Sequence, residues 1–195
     1  GNHLNQIINH GYLAVDFFFM LSGFVIGYAY DDRWNRMSMG TFFKRRLIRL
    51  QPMVVMGSFV GAALFWFQKA PCYPTMEDVS VGALLLVMLL GCTLLPLPLK
   101  WDIRGWMEMH PLNGPAWSLY YEYIGNILYA LFIRKFSKTA LTVFVAIAAC
   151  FTVHHCLTAP AGDIVGGWAL NWEQQYVGLV RLMYPFFGGL LLSRL

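Results

Sequence analysis

Charged residues are scarce in this sequence. Asp, Glu, Lys and Arg make up 12% of its 195 positions, against about 25% in an ordinary soluble domain. That density leaves too little charge to cover a water-facing surface, which argues against a typical soluble globular protein. Gly/Ser-rich tracts, acidic tails and internal repeats are also absent, so no linker or repeat array is indicated. Cys72, Cys92, Cys150 and Cys156 have neither metal-type nor redox-type spacing. Cys92 and Cys150 lie in apolar stretches, where a thiol packs as a small hydrophobe, so no structural disulfide is expected. The sequence has no phosphate-cradling Gly-rich loop, no GxSxG elbow, no HExxH pair and no His-x4-Asp motif. No resident cofactor or metal is expected.

What is abundant is apolar surface: 58% of the residues are hydrophobic and the mean hydropathy is +0.53. The apolar residues come in blocks, and a membrane-crossing helix needs roughly 20 of them in a row. The blocks at about 12–30, 50–68, 79–99, 117–133, 139–157 and 176–193 predict an all-α, polytopic membrane bundle with about six crossings. Residues 79–99, which hold no charge, are the cleanest of these. The chain has no initiator Met, no signal-peptide pattern, and an apolar end at Leu195. It reads as a piece of a longer chain.

The net charge of +4 is concentrated, with Arg33, Arg36, Lys44, Arg45, Arg46 and Arg49 following the first apolar block. The positive-inside rule assigns that stretch to the cytoplasm, and topology then accounts for the basic residues without nucleic acid. Simple alternation of six spans places the basic turn Arg134, Lys135, Lys138 on the opposite side, which violates the rule. Either residues 100–116 re-enter the membrane or one block does not cross. A non-helical stretch at membrane depth is tolerated only where protein or a watery cavity surrounds it. Gly23-x-x-x-Gly27 and Gly57-x-x-x-Gly61 are candidate close-packing seams.

Polar residues inside apolar blocks need a reason, because a mid-membrane charge costs about 2.5–3.5 kcal/mol on insertion scales. Asp16 stands among aromatics in GYLAVDFFFMLSGF, as a buried structural group or as a partner for a catalytic histidine or polar substrate. Ser118, Glu122, Asn126 and Tyr129 are spaced to share one face of a helix. That stripe fits a helix-to-helix ladder or, the sharper reading, the wall of a reaction pocket or translocation path. In FFKRRLIRLQP, Arg46 and Arg49 fall three apart, suited to a bidentate phosphate clamp; the plainer reading is topology and anionic lipid. Arg181 reads as a snorkelling side chain. His154 and His155 read as interfacial, and His110 receives no role.

Three of these segments, in order, resemble one family, the membrane acyltransferase-3 proteins. GYLAVDFFFMLSGFVIGY resembles its G-V-D-x-F-F-x-x-S-G helix, with Ala14 where Gly is usual. RRLIRLQP resembles its R-x-x-R-x-x-P element, and GPAWSLYYEYIGNILYAL its W-S-L-x-x-E signature. The resemblance spans nearly the whole chain as a partial acyltransferase domain over 1–195, lacking an N-terminal helix and C-terminal helices. It implies transfer of an acyl group, commonly acetyl, from acyl-CoA to a hydroxyl of a saccharide or cell-surface glycan. The implied setting is a bacterial inner membrane.

Carried over by position, Glu122, Asp16 and Ser118 are implied as catalytic-pocket residues. Arg45, Arg46 and Arg49 are implied to handle the acyl-CoA donor, and Asn126 and Trp117 to line the substrate pocket. The family's general-base histidine lies in a helix with no counterpart here, and neither His3 nor His10 matches it. The chain alone is therefore expected to be inactive. A transporter or flippase, or a non-catalytic membrane subunit, is the rival reading.

Overall fold

The computed structural model describes residues 11–70, 74–160 and 162–195, and every regular element among them is helical. His3, His10 and Cys72 lie outside the described residues. Six α-helices follow one another: α1 Leu13–Tyr30, α2 Met39–Phe67, α3 Val81–Gly91, α4 Ala116–Leu131, α5 Lys138–Thr158 and α6 Trp172–Arg194. Serines start three of them, each accepting a bond from the backbone N–H three residues on: Ser38 from Thr41, Ser80 from Ala83 and Ser137 from Ala140. Asn171 does the same for Gln174 at the start of α6.

Four helices are long and apolar enough to cross a membrane: α1, α2, α5 and α6. The cleanest block in the sequence is not among them. Of residues 79–99 only the 11 residues of α3 are α-helical, about 16 Å at 1.5 Å per residue, half the ~30 Å hydrocarbon thickness. Hydropathy registers the leucines of GCTLLPLPLK but not its two prolines, which cannot continue a helix. The chain turns at Gly91–Leu94, with Leu94 at φ 63°, and the Gln51 side chain from α2 donates to the Cys92 carbonyl at the end of α3.

A second departure concerns the basic stretch. Arg33 and Arg36 lie in the short 3-10 helix Asp31–Arg36 between α1 and α2, but Lys44, Arg45, Arg46 and Arg49 belong to α2, which continues through Pro52. At 29 residues, α2 measures about 43 Å, so its first turns extend past an apolar core and leave Lys44, Arg45 and Arg49 exposed.

Two compact units divide the chain. In the unit holding α1, residues 125–165 and residues 179–195, α1 and α6 run parallel. A Cβ at Gly23 would overlap the Phe186 carbonyl, and one at Gly189 the Met20 carbonyl. The first small-residue seam is therefore a helix–helix contact. At the basic end of this unit, Arg194 pairs with Asp31 (Nε–Oδ2 2.6 Å) and the Arg134 guanidinium lies 4.2 Å from the Trp34 ring centroid. The turn at 134–138 thus sits at the same end as the stretch after α1. With α3 too short to cross and α4 still counted as a crossing, both basic stretches fall on one side, as the positive-inside rule requires.

The other unit holds residues 36–124 and 166–178. Here the second seam serves a different purpose: a Cβ at Gly61 would overlap the Leu112 carbonyl, and one at Gly57 the Asn113 amide. The helix is pared down to admit a loop, not another helix. That loop, residues 102–115, is held by its own polar groups. Asp102 accepts from the backbone of Arg104 and Met107, and Met109 bridges Leu97 and Trp168 through its backbone, at 2.9 and 2.7 Å. Internal bonding of this kind is what non-helical backbone needs in an apolar setting. Leu112 closes a core with Ala62, Phe65, Leu84, Val87 and Leu97.

Candidate active site

α2 and α4 bring together the two motifs that carry charge. Arg46, on the buried side of the third turn of α2, donates through Nη2 to Glu122 Oε1 at 2.5 Å; the side chains are 1% and 14% exposed. The helices are antiparallel, since Arg46 meets Glu122 while Gly57 meets Asn113. The pair lies toward the basic end of α2, the end the positive-inside rule assigns to the cytoplasm. A guanidinium and a carboxylate taken out of water stabilise each other only in close contact, and removing either leaves an uncompensated charge.

The expected phosphate clamp of Arg46 with Arg49 does not form: Arg46 is buried, and Arg49 and Arg45 are exposed. Three residues advance a helix by 300°, so two arginines on nominally one face still differ by 60°. In α2 the core boundary falls between them. Ser118 donates to the Pro115 carbonyl at 2.9 Å, within the first turn of α4. Asn126 is buried, and Tyr129 donates to Asp31 at 2.7 Å while accepting from Trp34 at 2.9 Å. Trp117 is buried against Tyr121 and Gly167. The polar stripe of α4 is real as a helical face, and Ser118, Glu122 and Tyr129 on it bond Pro115, Arg46 and Asp31 respectively.

In the first unit, Asp16 has a partner that the sequence reading missed. Arg181, read as snorkelling, is 2% exposed and grips Asp16 with two contacts, Nε–Oδ1 3.2 Å and Nη2–Oδ2 2.8 Å. Its Nη2 also donates to the Tyr12 carbonyl at 2.7 Å. The signal was present: an arginine and an aspartate, each isolated in an apolar block, have every reason to find one another. Also missed were Arg104, Glu108 and His110 of the loop. His110 is 2% exposed, neither ring nitrogen has a hydrogen-bond partner among the described residues, and burial lowers its pKa to about 4. Burial likewise raises the pKa of Glu108, against the opposing pull of Arg104. His154 and His155 lie at the end of α5, and no group of three or more metal-ligating side chains occurs among the described residues.

A helical, multi-crossing membrane protein with two buried arginine–carboxylate pairs on its signature motifs is the class that fold and site define. The acyltransferase-domain family, the acyltransferase-3 group, matches over residues 1–195, and the chain belongs to it. Protein 2 in the picA locus of Rhizobium radiobacter is 32% identical over 145 residues, 71% of this chain and 74% of that protein. Acyltransferase MdmB of Streptomyces mycarofaciens is 30% identical over 140 residues, 71% of this chain but 32% of its own length. No solved structure matches.

Proposed function

We propose that this domain transfers an acyl group, typically acetyl, from acyl-CoA to a hydroxyl of a saccharide or cell-surface glycan, in a bacterial inner membrane. The observation that carries the proposal is the buried Arg46–Glu122 pair. It joins two family motifs on separate helices at the end of α2 where Arg45 and Arg49 stand exposed. Exposed guanidiniums beside that end suit the phosphates of coenzyme A, while Glu122 sits one layer deeper with Arg46 fixing its orientation.

In the reaction, the acceptor oxygen attacks the thioester carbonyl carbon, its proton passes to a base, and the coenzyme A thiolate leaves and is reprotonated. Glu122 is assigned to the reaction pocket as the carboxylate that positions the proton acceptor. Arg46 keeps that carboxylate in register, and Ser118 lies one turn away on α4. Asp16 is a supporting residue held by Arg181.

The test is acyl-CoA turnover by the protein expressed from its full reading frame, beside Glu122→Gln and Arg49→Ala variants. Turnover lost with Glu122→Gln and weakened donor binding with Arg49→Ala are expected. Full turnover in both variants would overturn the assigned pocket. A wild-type protein that moves substrate across vesicles without consuming acyl-CoA would favour transport.

A further inference from the structure

Two buried hydroxyls of the second unit, Ser58 on α2 and Tyr123 on α4, have no hydrogen-bond partner among the described residues. Ser58 stands against Gly91, where an added Cβ would come within 3.1 Å of its oxygen. A serine hydroxyl in a helix can turn onto the carbonyl one turn back, but a phenol stands too far from its own backbone for that. Two other tyrosines of α4 are bonded: Tyr121 donates to the Gln175 carbonyl at 3.5 Å and Tyr129 to Asp31 at 2.7 Å. Tyr123 is not, and the reaction as assigned above gives it no part.

The helix fixes where that phenol lies. Tyr123 comes two turns after Ala116 on one face of α4, and its ring packs against the cluster of Val54, Leu94 and Ala116. Side chains lean toward the N-terminus of their helix, so the ring runs from the level of Glu122 away from the basic end of α2. Val54 is eight residues past Arg46 on α2, about 12 Å. A cavity of about 450 Å³, bounded by Gly57 and Asn113 among others, begins about 16 Å past Arg46. Tyr123 thus occupies the interval between the ion pair and that open space. The charges that reach its hydroxyl are those of Arg46 and Glu122.

A buried O–H without an acceptor destabilises the resting protein, and a phenylalanine would fill the same space without that penalty. What phenylalanine lacks is a directed hydrogen-bond donor. A donor held free in the resting protein suits an acceptor that exists only during reaction, because the bond then lowers the barrier without tightening ground-state binding. We infer that Tyr123 is a further catalytic residue, its phenol O–H donating to the thioester carbonyl oxygen as that oxygen becomes an oxyanion. The role rests on the acyl transfer proposed above. As the acceptor oxygen bonds to the carbonyl carbon, the π electron pair moves onto the carbonyl oxygen. Tyr123 steadies that charge through a hydrogen bond and keeps its own proton. When the C–O double bond re-forms, the C–S bond breaks and its electron pair leaves with the coenzyme A thiolate. Glu122 then attends to the proton of the acceptor and Tyr123 to the carbonyl, from adjacent positions of α4.

The test compares the parent protein, expressed from its full reading frame in lipid nanodiscs, with Tyr123→Phe and with 3-fluorotyrosine placed at position 123. Coenzyme A release from acetyl-CoA is measured with methyl glucoside and water as the hydroxyl compounds offered, beside thermal unfolding of each protein. Tyr123→Phe is expected to lower kcat about 100-fold, as loss of one oxyanion donor does. Its KM for acetyl-CoA should stay parental, and its Tm equal or higher, since an unbonded hydroxyl is removed. The fluorotyrosine protein, which keeps the O–H, should stay within about threefold of the parent in kcat. Tyr123→Phe with parental kcat overturns the role and leaves the acyltransferase reading standing. A fall in kcat matched by a fall in Tm, or a raised KM in its place, also overturns it, because a packing or ground-state contact would act so. A parent protein that releases no coenzyme A overturns the acyltransferase reading, and this role with it.

Discussion

The two buried ion pairs differ in what surrounds them. Arg181 and Asp16 meet with two nitrogen–oxygen contacts, plus the Tyr12 carbonyl, in a unit where α1 and α6 touch backbone to backbone at Gly23 and Gly189. Arg46 and Glu122 meet in a unit whose glycines admit a loop and whose α2 is flanked by a cavity. The first pair joins two parallel helices in close contact; the second joins two antiparallel helices and stands about 16 Å along α2 from the cavity. An ion pair at a signature motif is thus not by itself a catalytic site, and what packs around each pair decides how its loss is felt.

Breaking the clamp should give the largest effect. Arg181→Ala leaves Asp16 buried without its cation, and removal of one member of a buried pair costs about 3–5 kcal/mol. Thermal unfolding in detergent should show a severe loss of stability or of folded yield. The double variant Asp16→Leu with Arg181→Met should recover most of it, because the uncompensated charge is gone. A single variant as stable as the parent would end the view of this pair as a clamp.

Glu122→Gln probes the other side of the comparison. The amide keeps the size of the side chain and can still accept from Arg46, but it leaves that buried guanidinium without its counter-charge, so some folded yield is lost and turnover is measured per folded molecule. Acyl-CoA turnover should fall by about 100-fold, the lower range for a positioned acid–base group, equivalent to about 2.7 kcal/mol of barrier. Unfolding as severe as that of Arg181→Ala, with normal activity in the surviving fraction, would make the two pairs alike.

How far the sequence could be read follows the same division. The helical membrane fold, the positions of α1, α5 and α6 and the need of Asp16 and Glu122 for partners are local properties of composition and motif, and they were legible. The shortness of α3 was hidden because leucine content outweighed Pro96 and Pro98 in a window average. Arg181 was misread because its partner is 165 residues away, and no spacing rule reaches that far. The loop at 102–115 was suspected from a topological contradiction. Its cavity depends on Gly57 and Gly61 facing Leu112 and Asn113, which only the fold reveals.

A third test addresses that loop. With its pKa lowered to about 4 by burial, His110 binds its proton more readily when unfolded, where the usual value is about 6.5. Between those values the unfolded state holds more protons, so stability falls as pH drops from about 6.5 toward about 4. At about pH 5 the loss is on the order of 2 kcal/mol relative to neutral pH. His110→Leu should flatten this part of the pH–Tm curve while leaving neutral-pH stability equal or higher, since an imidazole with no hydrogen-bond partner is replaced by an apolar group. An unchanged pH slope would mean that the imidazole is solvated in the native protein.

The smallest effect is expected three residues from the buried pair, at Arg49, and it tests whether burial alone divides the arginines of one motif. Arg49 is exposed, and an exposed substitution generally moves stability by no more than about 0.5 kcal/mol. Arg49→Gln should therefore melt with the parent, where Arg46→Gln should not. If Arg49 meets donor phosphates, losing one solvent-exposed charge contact of about 1 kcal/mol raises KM for acyl-CoA about fivefold and leaves kcat nearly unchanged. Because such a contact is screened by salt, the gap between variant and parent should shrink as ionic strength rises. An Arg49→Gln protein with parental KM at low salt would leave Arg49 as a topology signal only. Donor recognition would then fall to Arg45 or to groups deeper along α2.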